Sequence, residues 1–160
     1  MVAIYELSAY LAQKGAANTI GMNMGGTVQL NDVAATMVDA KHSAAAADEA
    51  GVHYVGVAAG FVLTVSDGPV LYHAGDTCVF GDMKLIAELY HPELVMLPIG
   101  GHYTMDPKEG ALATRLLSPV AVLPLHWGTF PPLTGTPEAL AALVEPGVKV
   151  IRCAPGEMLE

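Results

Sequence analysis

Three residues of this 160-residue chain combine a ligand-type side chain with a place at the end of a strand-like run. His42 follows the run from Ala34 to Ala40, and Asp76 follows Val70 to His73 inside Ala74-Gly75-Asp76-Thr77. His126 ends Val120 to Leu125 and opens His126-Trp127-Gly128-Thr129-Phe130. In layered α/β folds, ligands gather where the carboxyl ends of strands converge. Two imidazoles and a carboxylate are a donor set that suits zinc or iron in hydrolytic sites. None of the pairs lies at helical ligand spacing, so spacing alone leaves bland readings open. A histidine after a strand can be a hydrogen-bonded loop residue. Asp76 can be a turn former whose carboxylate bonds its own backbone.

The other polar candidates are weaker. His102 sits in Gly100-Gly101-His102-Tyr103, where an imidazole could protonate a leaving group or simply pack beneath the next helix. His73 lies inside a hairpin and reads as a structural residue that orients Asp76. His91, just before Pro92, reads as a helix-end cation favourable to the dipole. His53 has no motif around it.

The elements that must position these residues alternate in kind along the chain. Val2 to Tyr5 predicts a strand with nothing before it to pair with, followed by a helix through Leu7, Tyr10 and Leu11. Thr27 to Leu30 and Ala34 to Val38 read as strands, the second poor in propensity because alanine is depleted in sheets. Residues 41–60 lack a clear period and predict a long functional loop. Phe61 to Val65 and Val70 to His73 flank Ser66-Asp67-Gly68-Pro69, a tight-turn signal. Thereafter helix and strand alternate: a helix capped by Asp82 and running to about Tyr90, and a strand from Leu94 to Pro98. Asp106-Pro107-Lys108-Glu109 is a capped helix start, and a strand from Val120 to Leu125 follows. Thr136-Pro137-Glu138 starts another helix, and Val148 to Cys153 predicts a last strand. Hairpins followed by β-α-β units predict one layered α/β domain over residues 1–160.

Composition narrows the function classes. Hydrophobic residues make up 52% and charged residues 14%, which argues for a packed domain against disorder. Sixteen acidic residues against seven basic ones give a net charge of -9, which opposes any nucleic-acid partner and a nuclease activity. No apolar run approaches a membrane span, and no signal-peptide layout opens the chain. Two cysteines, Cys78 and Cys153, are too few for a disulfide framework, so a reduced, cytoplasmic protein is expected.

Four segments together resemble one family: Tyr72-His73-Ala74-Gly75-Asp76-Thr77, Phe80-Gly81-Asp82-Met83-Lys84, Leu97 through Met105, and His126-Trp127-Gly128-Thr129-Phe130. The chain is similar to the metal-dependent hydrolase branch of the metallo-β-lactamase superfamily. Ascorbate-phosphate lactonase and N-acyl phosphatidylethanolamine phospholipase D resemble it more distantly. The resemblance implies the C-terminal two-thirds of an αββα sandwich with a two-metal site that activates water, zinc first and manganese, iron or nickel as alternatives. It implies His42 on the first metal, Asp76 bridging both, His126 on the second, and His102 lining the pocket as a proton donor. Cys78 stands where the family usually has a small residue.

The family's His-x-His-x-Asp-His string occurs nowhere in the sequence. The expectation is therefore that an N-terminal segment bearing it, or a complementary polypeptide, completes the site for a small-molecule substrate: an ester, lactone or phosphoester. A homo-oligomer pairing across an open sheet edge is expected of a degenerate, non-catalytic chain. A binding or scaffold subunit without catalysis is the alternative.

Overall fold

A computed structural model describes residues 1–154 and 156–158. The chain opens with β1 (Val2–Ile4), α1 (Tyr5–Gln13), β2 (Ile20–Met22), β3 (Thr27–Leu30), β4 (Val33–Asp39), β5 (Ala45–Asp48) and β6 (Gly51–Tyr54). It continues with β7 (Ala59–Val65), β8 (Val70–His73), α2 (Met83–Tyr90), β9 (Leu94–Pro98), α3 (Pro107–Leu117), β10 (Ala121–Leu125), α4 (Pro137–Ala141) and β11 (Lys149–Val150).

Seven strands form the main sheet in the order β11-β10-β9-β8-β7-β4-β3. β3, β4, β7 and β8 are antiparallel neighbours, whereas β8, β9, β10 and β11 run parallel. Two reversals separate β4 from β8, so β4, β8, β9 and β10 all point their carboxyl ends to one edge. That direction places the loops after Asp39, His73, Pro98 and Leu125 side by side.

Alternation along the strands decides which face is core. Val62, Tyr72, Val95 and Val122 lie in register across four strands and are fully buried. They pack with Met83 and Ile86 of α2, Ala113 and Leu117 of α3, and Leu140 of α4. The opposite face carries Phe61, Leu63, Leu71, Met96, Leu123 and Leu125, all only half-buried. Parallel strands are ordinarily covered on both faces, and here three helices cover one.

The helices in this half start where the sequence placed them. Asp106 Oδ1 accepts from Glu109 N, and the Glu109 carboxylate accepts from Asp106 N, a reciprocal cap ahead of Pro107. Thr136 caps α4 in the same way through Ala139 N. α2 differs: Asp82 already has helical angles and its side chain makes no capping bond. His91 ends that helix in the left-handed region with φ 48°.

Three expectations are corrected. β1 pairs in parallel with β2, a short strand hidden in a Gly- and Asn-rich stretch. Residues 41–60 contain the antiparallel β5–β6 hairpin, because the turn around Ala50 and Gly51 brings alanines of poor strand propensity into pairing. The final strand shrinks to Lys149 and Val150, which stand in register with Ala121 and Val122 of β10.

Candidate metal centre

Asp76 reaches the sheet edge through a backbone that only glycine allows. Gly75 has φ +66°, and a Cβ there would meet Ala59 O at 2.5 Å. The Gly75 N–H also donates to His73 Nδ1 at 3.0 Å, which fixes the bend that presents Asp76. Next along the chain, Thr77 is fully buried. Its hydroxyl donates to Cys78 O at 2.8 Å and accepts from Lys41 N at 2.9 Å. Thr77 O accepts from Met105 N, and Cys78 N donates to Lys41 O, both at 3.3 Å. One buried residue thus ties together the loops that carry His42, Asp76 and His102. The sequence reading passed over Thr77; its Gly-Asp-Thr context was visible, but nothing local marks the hydroxyl as a hub.

His126 is held from the neighbouring loop. Ile99 N donates to Leu125 O at 3.0 Å, and Gly100 packs so tightly on His126 O that any Cβ there would overlap it. His126 and His102 adopt φ of 52° and 58°, left-handed values that cost a non-glycine residue roughly 1 kcal/mol or more and cluster at functional sites. His126 Nε2 lies 3.8 Å from Asp76 Oδ2, with the two side chains 28% and 51% exposed. His126 Nδ1 is buried with no hydrogen-bond partner among the described residues.

The donors suit a divalent cation. Two ligands about 2.1 Å from one ion stand at most about 4.2 Å apart, so this pair can share one. The other predicted ligands are not gathered with it. His42 leaves the same sheet edge, but its exposed ring turns Nδ1 to within 3.0 Å of Ser43 O. It borders a cavity of about 460 Å³ with Asp39, Lys41 and Tyr54. The His102 ring is exposed and stands edge-on to Tyr103, centroids 4.4 Å apart. Among the described residues no three His, Cys, Asp or Glu side chains cluster closely enough to hold a metal.

The surroundings are electrostatically uneven. The Asp39 carboxylate bonds Lys41 Nζ and holds its ammonium above the usual lysine range. Burial, with a smaller contribution from Asp39, drives the Tyr72 phenol well above its ordinary range. The Tyr72 hydroxyl has no partner. His73, beyond shaping the Asp76 bend, is exposed. No helix among the described residues is long and apolar enough to cross a membrane.

Comparison with known proteins identifies the family. Residues 2–127 match the model of the Beta-lactamase superfamily domain. A metal-dependent hydrolase of Koribacter versatilis is 51% identical over 145 residues, covering 91% of this chain and 62% of that protein. One from Methanopyrus kandleri is 42% identical over 163 residues, covering 100% and 70%. The solved structure of a metallo hydrolase from Ignicoccus hospitalis superposes with a TM-score of 0.81 at 38% identity, over 98% of this chain and 66% of that one. The chain thus spans about three-fifths of the length of the Koribacter relative.

Proposed function

The chain belongs to the beta-lactamase superfamily, among its metal-dependent hydrolases, and from that premise we propose that it supplies part of a metal centre that hydrolyses an ester, lactone or phosphoester. The observation that carries this reading is the Asp76–His126 pair at 3.8 Å on the strand edge. When bound, a divalent cation, zinc foremost with manganese, iron or nickel as alternatives, supplies the Lewis acidity that makes water nucleophilic near neutral pH. Asp76 would lend its carboxylate to the metal centre, His126 would lend Nε2, and His42 would hold a second ion. His102, exposed on the intervening loop, delivers a proton to the leaving group.

The remaining ligands come from protein outside the Asp76–His126 cluster. We read them as belonging to a complementary polypeptide segment that also covers Phe61, Leu63, Leu71, Met96, Leu123 and Leu125. Support comes from that half-buried face and from the missing third ligand among the described residues. The same missing ligand favours the second reading, a binding or scaffold subunit without catalysis.

Native mass spectrometry of the protein purified from its own host without chelators separates the two. A complex of this chain with a second polypeptide and two metal ions is the expected result. A metal-free homo-oligomer would remove the hydrolase reading from this chain and leave the scaffold reading.

A further inference from the structure

The β5–β6 hairpin is a two-stranded sheet of its own, hydrogen-bonded to no strand of the main sheet among the described residues. One side of it is wet: Val52 and Tyr54 are 78% and 73% exposed. Its polar tie to α1 is one carboxylate whose two oxygens face different elements. Asp48 Oδ1 accepts from Ala50 N at 2.9 Å and His53 Nε2 at 2.8 Å, both within the hairpin. Asp48 Oδ2 accepts from Tyr10 OH at 3.0 Å and Lys14 Nζ at 2.6 Å, both on or just past α1. Lys14 Nζ also lies 5.4 Å from the Tyr10 ring centre, and that ring stands 5.5 Å from His53. Hydrogen bonds from Lys14, then His53, then Tyr10 hold the Asp48 carboxyl well below the usual range.

The hairpin's two legs are the segments that matter for the site. One leg is His42, Ser43 and Ala44. The other starts at Val55 and turns at Gly56, whose φ is +95° and where a Cβ would meet Ile4 and Glu6 at 2.9 Å. His42 on one leg and Tyr54 at the end of β6 face the same cavity of about 460 Å³. The leg that carries His42 is anchored on its inner side by Lys41 to Thr77 and Cys78. On its outer side the leg runs straight into β5 of the hairpin.

We propose that the β5–β6 hairpin is a strap beside the His42 cavity, pivoting on its legs and latched to α1 by Asp48. With the latch made, Tyr54 forms a fixed wall of the cavity and the ring of His42 has one setting. With it broken, the hairpin swings while the main sheet stays intact, and the cavity widens for entry or exit. The strap's bearing on catalysis rests on the reading of His42 as a site residue; the latch itself does not. Mobile elements beside active sites are drawn from the less stable parts of a fold, and an exposed ribbon held by side-chain bonds fits that description.

Amide hydrogen exchange on the full chain, read together with the imidazole resonances of its histidines, tests this. Asp48→Ala should speed exchange of the paired amides of residues 45–54 by about tenfold or more. It should also move the His42 ring signals and leave β8–β10 and His126 as they were. The charge-swapped double variant Lys14→Asp with Asp48→Lys should restore part of the protection. Unchanged exchange in the hairpin would overturn the proposal. So would loosening that spreads evenly into β8–β10, which would make Asp48 a general stability residue, or a loosened hairpin with an unmoved His42 ring. No metal is added, so a failed hydrolase reading cannot be mistaken for a failed latch.

Discussion

The segment from β8 to α4 and the segment made of α1 with the β5–β6 hairpin are held together by different forces. In the first, Tyr72, Val95, Leu97 and Val122 are fully buried beneath three helices, and loop backbones touch so closely that glycine is required. In the second, a helix with exposed Tyr5 and a ribbon with exposed Val52 and Tyr54 are joined by a polar cluster on Asp48. Burial of apolar surface is non-directional and cooperative, whereas a few exposed polar bonds are weak and local. The pair Asp76–His126 therefore stands on the rigid segment, and His42 stands where the rigid and the loose segments meet.

Mutations should expose that contrast, beginning with the rigid side. Gly100→Ala forces a methyl into the His126 carbonyl and should cost more than about 3 kcal/mol, read by urea denaturation. A loss below 1 kcal/mol would mean that the two loops are free to part. Thr77→Val keeps the shape but strips the Lys41 amide of its partner. It should cost about 1–3 kcal/mol, with Thr77→Ser close to wild type in the same denaturation series.

Acid tests the loose side. The Asp48 carboxyl is depressed in the fold, so its contribution is complete above the ordinary carboxylate range of about 4. It is lost progressively as pH falls from there through the much lower folded value. Hairpin amides should stay protected through mildly acidic pH; loss of protection near neutrality would contradict the latch. Smallest of all, Val52→Ala on the exposed ribbon should change stability by less than about 0.5 kcal/mol in thermal melts.

The same contrast explains what could be read from sequence. The capped helices at Asp106 and Thr136 and the strands from Leu94 and Val120 were legible because caps, prolines and continuous apolar runs are local signals. The β5–β6 hairpin was not, because its pairing strand is Ala-Ala-Ala-Asp and its hold on α1 comes from Tyr10 and Lys14, far away in sequence. Asp76 and His126 were legible as strand-end residues. Their meeting was implied by the family resemblance and not by spacing, since it depends on β8 and β10 flanking β9 in one parallel sheet. Thr77 was missed for the same reason: its partners, Lys41 and Met105, lie on other loops.

The central claim is that Asp76 and His126 share a divalent cation, and an imidazole-resolved NMR titration of the chain with zinc tests it most directly. The His126 ring should respond before the other histidines, and Asp76→Ala should abolish its response while the fold is kept. Zinc that binds with the His126 signals unmoved, or a His126 response that survives Asp76→Ala unchanged, would contradict it.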